Sequence, residues 1–343
     1  MIAENEAQVV EAVRQARERR STLEIVGGGT RRSAGRPMHC EAVLDVSGLR
    51  GIVTYEPEEL VLTVKPATTL AEIEAVLGAR NQRLGFEPQD WSSMLGSHGI
   101  STIGGAVSSD ADGPAAIRFG RGRDHLLGIR AVNGFAEAFK AGGKVVKNVT
   151  GFDIPKLVCG AWGTLCVLTE LTFRVFPRAQ RSVVLARRGL TPPEGSARLR
   201  QAWSSPIDAT GLVYANGTAF VRLEGDGPAL AEKRAFLDGF EETDAIEDGF
   251  APGALDIWRL SCRATEAVRI ADSIAAPRWY GDWAGTRLWF AAGSDKAQAL
   301  AAQGAQCLRG NAPPRAGDPR AELERRVKAA FDPLGLFNPG RMA

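Results

Sequence analysis

The sequence predicts an α+β fold in which a large domain is followed by a smaller one. Three observations support this prediction. The 343 residues are too many for one ordinary hydrophobic core. Strand and helix patterns alternate through about residue 90. A second region with strand and helix patterns follows residues 178–200, a stretch rich in proline and arginine that we interpret as a linker.

Charge and hydropathy limit the partners that the chain can have. The formal net charge is only +2, so we expect no binding to nucleic acid or directly to an anionic membrane. No apolar run is long enough to cross a bilayer, and residues 1–20 lack the apolar core of a signal peptide. We therefore expect a cytoplasmic protein that becomes peripheral to the inner membrane only through partners. The five cysteines include no C-x-x-C pair, which predicts reduced thiols and no metal site.

The periodicity of apolar residues predicts the individual elements. Residues 5–20 form a helix pattern, and Thr69 with Glu72 has the spacing of a capping box at a second helix start. A charged helix is predicted at Ala321–Ala330. Strands are predicted at Leu23–Val26, Ala42–Val46, Val61–Lys65, Thr164–Phe176, Gly217–Leu223 and Gly285–Phe290. Each of the last two strands precedes a helix, which predicts a smaller region of two strand–helix units.

A glycine triplet within Val26–Arg31 is the first candidate for ligand binding. Three glycines that follow a strand allow successive N–H groups to converge on an anion such as a pyrophosphate. The segment lacks the G-x-G-x-x-G spacing and a long following helix, which argues against a nicotinamide-type Rossmann site. A plain glycine turn is the alternative.

Two further glycine-rich segments are Ser101–Ser109 and Gly142–Asp153. The first places paired glycines between hydroxyl side chains in a predicted turn, which offers donors to a phosphate or a ring carbonyl. The second offers Lys147 and Asn148 as contacts for a phosphate or a ring carbonyl, although a solvated hairpin explains that pattern equally well. His98 is interpreted either as a residue that lies over a ring or donates to one, or as a residue that is exposed or held by structural hydrogen bonds.

The order of these segments resembles the FAD-binding domain of the vanillyl-alcohol oxidase/PCMH superfamily. The resemblance rests on the glycine triplet, a T-I-G-G segment, G-R-G-R-D at Gly120–Asp124, K-N-V-T-G-F-D and a G-T-L-x-V-L-T-E strand. It covers about residues 5–177 and resumes at Phe331–Met342, which contains F-D-P-x-x-x-F-N-P-G. Within the superfamily, the K-N-V-x-G-F-D and P-Q-D-W (Pro88–Trp91) stretches are similar to the FAD-binding subunits of glycolate oxidases.

The resemblance implies a PCMH-type two-lobed FAD-binding domain with a smaller α+β cap domain. It places the FAD-binding domain at residues 1–177, the cap at 178–317 and a C-terminal helix and tail that return to the first domain at 318–343. The implied cofactor-binding residues are Gly27, Gly28, Gly29, Thr30, Thr102, Gly104, Gly105, Ser108, Asn148, Gly151, Asp153, Val167 and Asn338. Members with covalent FAD often carry His or Cys in the glycine loop, and Thr30 stands there, so we expect non-covalent FAD.

The cap departs from related 2-hydroxy-acid dehydrogenases, which carry closely spaced histidines and an acid there. The three histidines of this chain are His39, His98 and His125, all outside the cap. The cap can offer only residues such as Arg259, Arg263, Arg287 or Asp282, and we interpret such arginines as solvated surface residues. Because oxidation of a hydroxy acid needs a base at the alcohol, the catalytic residues stay unassigned.

The resemblance therefore implies an FAD-binding subunit of a multi-subunit glycolate (2-hydroxy-acid) oxidase. A larger flavin subunit with the histidine site and an iron–sulfur subunit would be its partners, and its own flavin would relay electrons. The alternatives are a self-sufficient FAD-dependent oxidase of a sugar lactone or alcohol, and a non-catalytic flavin-binding scaffold. Five cap tryptophans indicate either partner contact or core packing, namely Trp203, Trp258, Trp279, Trp283 and Trp289.

Overall fold

A computed structural model of the protein describes residues 1–144, 153–247, 250, 255–310 and 320–341. The chain divides into two compact units. The first consists of Met1–Asp112, Arg121–Pro177 and Pro314–Ala343, and the second of Gly113–Gly120 and Arg178–Pro313. The predicted boundaries at 177 and 317 stay a prediction.

The elements of the first unit follow the predicted alternation of strands and helices up to residue 83. Its helices are α1 (Glu6–Arg19), α2 (Leu70–Gly78), α3 (Ser92–Leu95), α4 (Ile103–Ser109), α6 (Gly122–His125), α7 (Ile154–Val158) and α12 (Arg320–Phe331). Its strands are β1 (Leu23–Val26), β2 (Ala42–Asp45), β3 (Ile52–Glu56), β4 (Val61–Val64), β5 (Gln82–Arg83), β6 (Leu126–Asn133), β7 (Ala138–Gly142), β8 (Cys166–Arg174) and β9 (Phe176–Pro177).

Three sheets organise these strands. The largest has the order β3-β4-β8-β6-β7, and its strand pairs are antiparallel. A short parallel pair joins β1 to β2, with Leu23 opposite Ala42, and β5 pairs with β9. Strand β8, which lies within the strand predicted at Thr164–Phe176, is at the centre of the large sheet. Its near-continuous burial explains its apolar and β-branched composition.

Two predicted helices show what local sequence can and cannot encode. Thr69 caps α2 as predicted, because its hydroxyl accepts the Glu72 N–H at 3.1 Å. The Glu72 carboxylate, however, does not complete the reciprocal bond and instead pairs with Arg50 at 2.9 Å. Helix α12 confirms the charged helix predicted at Ala321–Ala330.

The second unit is built on one eight-stranded antiparallel sheet. In chain order its strands are β10 (Arg181–Arg187), β11 (Gly211–Ala215), β12 (Thr218–Gly225), β13 (Glu241–Thr243), β14 (Asp256–Ser261), β15 (Arg278–Asp282), β16 (Arg287–Ala292) and β17 (Gln306–Arg309). Its helices are α5 (Ala116–Phe119), α8 (Pro192–Ser204), α9 (Gly227–Arg234), α10 (Ala267–Ile274) and α11 (Ala297–Ala302). The sheet order is β13-β10-β12-β11-β15-β16-β14-β17. Both predicted strand–helix passages, β12 with α9 and β16 with α11, belong to this sheet.

The interpretation of residues 178–200 as a linker was wrong. Strand β10 pairs with β12 and β13 inside the sheet, and α8 begins immediately after Thr191. The two prolines of this stretch lie in the first turn of α8, where a missing N–H costs nothing. Thr191 and Glu194 form a reciprocal capping box that starts the helix. Proline density therefore marked a helix start and not a flexible connection.

Each unit has its own buried apolar clusters. In the first unit, one cluster packs beneath the large sheet around Leu171 and Phe173, and another joins α1 to β1 and β2 around Val9 and Leu44. In the second unit, separate clusters pack against α8 and against α10. Within the described ranges, no helix has the length and hydropathy to cross a membrane.

Candidate functional site

The first unit contains a cleft at the end of β1. It encloses about 760 Å³, a volume that includes space open to solvent. Segments that are far apart in sequence form its walls. The lining residues are Ile25–Arg32, Val46, Pro66, Thr102, Gly104, Gly105, Ser108, Ser109, Trp162, Gly163, Cys166, Leu168, Asn338 and Arg341.

The predicted glycine loop forms one wall of this cleft. The backbone N–H groups of Gly27, Gly28, Gly29 and Thr30 have no hydrogen-bond acceptor among the described residues. Four such donors on one short loop can be satisfied by an anion, as in a backbone nest. The loop is therefore suited to the pyrophosphate that its sequence predicted.

Two of the three glycines are required by the fold itself. A Cβ atom on Gly28 would overlap the carbonyl oxygen of Ile100, because the two backbones join through an Ile100 N–H to Gly28 O bond of 3.0 Å. Gly29 has φ +78°, a left-handed conformation that favours glycine. Its Cβ position has no neighbour within 4 Å.

The T-I-G-G segment is the start of helix α4, and the predicted turn was wrong. The Thr102 hydroxyl caps the helix by accepting the Gly105 N–H at 3.4 Å. A Cβ on Gly104 would stand 2.7 Å from Cβ of Pro66, so this glycine allows α4 to approach the chain after β4. Gly104, Gly105 and Ser108 all line the cleft.

The C-terminal tail is fastened to β1 beside the glycine loop. The side-chain oxygen of Asn338 accepts the Ile25 N–H at 2.9 Å, and its side-chain NH2 group donates to Trp162 O at 2.8 Å. Phe337 forms a bridge with Leu23. Asn338 lines the cleft as predicted, and its side chain fixes the backbone on both sides of it. The predicted role of Asn338 in binding the cofactor stays a prediction.

The remaining predicted contacts divide into three groups. Val167 points its side chain into an apolar cluster, while its neighbours Cys166 and Leu168 line the cleft. Asp153 is exposed, caps α7 and pairs with Lys156 at 2.9 Å, and it is not among the lining residues. Asn148 and Gly151 lie outside the described residues, together with Lys147. The roles of these residues stay predictions.

Two arginines of the cleft were missed by sequence reasoning. Arg31 follows the glycine loop directly and Arg341 lies in the tail, and each retains less than a tenth of its exposure. Neither forms an ion pair with a described residue. Burial lowers the pKa of Arg31 to about 10 and also lowers the pKa of Arg341. The signal for Arg31 was its position after the triplet, whereas nothing local marked Arg341.

Histidine and cysteine play a small part in this cleft. His39 and His98 are exposed, and His125 packs against Phe176 with ring centroids 4.9 Å apart. Cys166 is the one cysteine among the lining residues, and burial raises the pKa of its thiol to about 12. The thiolate form needed for a covalent bond is therefore strongly disfavoured. All five cysteines are free.

The second unit contains a buried ion pair in place of the predicted surface arginine. Arg287 is 2% exposed and Asp282 is 1% exposed, and they pair with each other at the facing ends of β16 and β15. The Arg287 guanidinium also stands 3.6 Å from the centre of the Trp283 ring. Trp258 and Trp289 belong to the core, so the core interpretation holds for these two.

Comparisons with known proteins agree with this architecture. The FAD binding domain family matches residues 1–142. The chain is 32% identical over 353 residues to the glycolate oxidase subunit GlcE of Escherichia coli (strain K12), across 97% of this chain and 96% of that protein. It is 33% identical over 161 residues to the glycolate oxidase subunit GlcD of Bacillus subtilis (strain 168), across 46% of this chain and 33% of that protein.

The fold is also found in a solved structure. An alkyldihydroxyacetonephosphate synthase superposes with a TM-score of 0.69 at 14% identity, across 99% of this chain and 75% of that chain. The predicted fold class is thereby confirmed. Taken with the near-complete alignment to GlcE, these findings show that the chain carries an FAD binding domain and belongs to the family of the glycolate oxidase subunit GlcE.

Proposed function

We propose that this protein is the FAD-binding subunit of a multi-subunit oxidase that acts on glycolate or a similar 2-hydroxy acid. The observation that carries the proposal is the glycine loop with four N–H groups that lack acceptors, in a chain that aligns with GlcE over almost its full length. FAD fits this cleft because its pyrophosphate can satisfy those donors. Among the described residues that line it, the cleft offers neither a histidine nor an ionised thiol for a covalent bond, which supports non-covalent binding.

FAD supplies the capacity to accept and pass on electrons when it is bound. The chain's own residues hold it: the loop N–H groups bind the anion, and Asn338 keeps β1 and the turn at Trp162 in place. Small residues such as Gly105 leave room along α4. These groups position the cofactor and exclude water from it. None of them is a side chain that ordinarily acts as the base that removes a proton from an alcohol.

The substrate chemistry therefore belongs to a partner in this proposal. All three histidines of the chain lie before residue 130, and the second unit places its candidate Arg287 in a buried ion pair with Asp282. A larger flavin subunit would supply the base and the carboxylate-binding cation. An iron–sulfur subunit would receive the electrons, and attachment to the inner membrane would come through these partners.

Reduction of the flavin tests the proposal directly. We expect the purified chain to contain FAD and to stay oxidised when glycolate is added anaerobically. In the complete native complex, glycolate should bleach the flavin absorbance assigned to this subunit. Bleaching of the isolated chain by a hydroxy acid, a sugar lactone or an alcohol would instead identify a self-sufficient enzyme. A flavin that stays oxidised in the complex during turnover would identify a scaffold.

A substitution in the second unit tests which unit holds the cofactor. Arg259 lies in β14 and donates to the Gln306 side chain at 2.8 Å. We expect Arg259→Gln to leave the FAD content of the purified protein unchanged, because the cleft residues all belong to the first unit. The measurement is the ratio of flavin absorbance to protein absorbance. A large loss of flavin would contradict the proposed division at residue 177.

A further inference from the structure

The cleft carries two positive charges for which the described part of the protein provides no ion-pair partner. Arg31 is 8% exposed and Arg341 is 6% exposed, and both line the cleft beside the glycine loop. The acidic side chains that influence the two guanidinium groups do so without an ion pair. Asp90 is too distant from Arg31 for an ion pair, and Glu24, near Arg341, is paired with Arg32 at 2.5 Å.

The hydrogen bonds of the two guanidinium groups hold them in place without neutralising them. Arg31 donates to the Thr30 hydroxyl at 3.0 Å, to the Ser101 hydroxyl at 3.1 Å and to Gln89 O at 2.8 Å. Arg341 donates to the carbonyl oxygens of Arg31 and Arg32. Arg341 also donates to the Met38 sulfur at 3.8 Å, and every one of these acceptors is neutral. Burying an uncompensated charge is costly, so such an arrangement indicates an anionic ligand.

The geometry also shows that Arg31 reaches the cleft surface. Its Nη1 atom lies 3.4 Å from the position that a Cβ on Gly105 would occupy. Gly105 is one of the α4 residues that line the cleft, so this guanidinium edge and the cleft-lining side of α4 face the same space. The loop N–H groups provide dipoles there, and the arginines provide full charges.

We propose that Arg31 and Arg341 form a charge anchor for a diphosphate, which the four N–H groups of the glycine loop alone would hold more weakly. This inference rests on the proposed function only in naming the diphosphate as that of FAD. One of the two charges comes from the C-terminal tail, 310 residues along the chain from the other. Docking of the tail and binding of the anion therefore support each other.

Inorganic pyrophosphate is the probe that tests the anchor. The full chain, stripped of flavin, is titrated with pyrophosphate by calorimetry, and with FAD and riboflavin by fluorescence. We expect Arg31→Gln and Arg341→Gln each to weaken pyrophosphate and FAD binding by about tenfold or more, consistent with loss of a charge-assisted hydrogen bond. Riboflavin has no phosphate, and its binding should change little. Added salt should weaken pyrophosphate binding less in these variants than in the wild type.

Charge-retaining variants separate an electrostatic role from a structural one. Arg31→Lys and Arg341→Lys should retain most of the pyrophosphate affinity that the glutamine variants lose. Arg50→Gln is the matched control, because it removes the charge of an exposed arginine paired with Glu72. Glutamine variants that bind pyrophosphate like the wild type would overturn the inference. Lysine variants as weak as the glutamine variants would also overturn it, since only the shape of the guanidinium would then matter.

These measurements are independent of turnover. If pyrophosphate binding depends on both arginines, but glycolate never reduces this subunit's flavin in the complete complex, the charge anchor is supported and the proposed function is contradicted. If glycolate reduces this flavin in the complex, but substitution of either arginine leaves pyrophosphate binding unchanged, the proposed function is supported and the charge anchor is contradicted.

Discussion

Replacing Gly105 with valine is expected to strip the protein of FAD. The Cβ of residue 105 would stand 3.3 Å from the Thr102 hydroxyl and 3.4 Å from the Arg31 guanidinium, and its methyl groups would extend into the cleft. Overpacking costs about 1–3 kcal/mol, so FAD affinity should fall by about 10- to 100-fold. Flavin fluorescence released on denaturation of the purified variant measures the loss.

The fold should tolerate this substitution, which makes the result interpretable. Gly105 lies inside α4, where valine has a better helix propensity than glycine. Gly227→Val is the matched control, because Gly227 also lies in a helix, α9 of the second unit, where a Cβ would meet only the Arg181 guanidinium at 3.9 Å and the residue is not in the left-handed region. We expect that control to keep its flavin. A Gly105→Val protein with wild-type FAD content would show that α4 does not border the cofactor.

Removing the charge of Asp282 is expected to produce the largest loss of stability among the changes proposed. Asp282 pairs with Arg287 in the core of the second unit and also accepts the Trp283 N–H at 2.6 Å. Asn keeps the shape and one carbonyl acceptor but removes the negative charge that pairs with Arg287. Breaking a buried pair in this way typically costs about 3–5 kcal/mol. Urea unfolding followed by tryptophan fluorescence measures it, since five of the seven tryptophans lie in this unit.

An exposed pair in the same unit provides the comparison. Arg234 and Glu242 are 2.9 Å apart with both side chains about half exposed, and surface pairs contribute only about 0–1 kcal/mol. Glu242→Gln should therefore shift the urea midpoint little. If the two variants lose similar amounts of unfolding free energy, the buried Asp282–Arg287 pair stabilises this unit no more than an exposed pair does. FAD content should be normal in both.

Local patterns predicted the elements whose information is contained within a few residues. Helix α1 formed where Val9 and Val13 share one face, and Thr69 capped α2 as its hydroxyl allowed. The same short-range reasoning failed for residues 178–200 and for T-I-G-G. A helix that starts with prolines or contains glycines has the same local composition as a loop. Only the surrounding contacts distinguish a helix of this kind from a loop.

The sequence by itself determined the α+β class, the order of the segments and the glycine loop as an anion-binding candidate. Tertiary structure alone decided which of those segments meet. It joined Arg341 of the tail to the loop that begins at Gly27, turned Gly105 towards the cleft and Gly104 towards Pro66, and buried Arg287 beside Asp282. The physical reason is that the charge balance and accessibility of a side chain depend on atoms brought near by folding. These properties are not encoded in the residue's immediate neighbours.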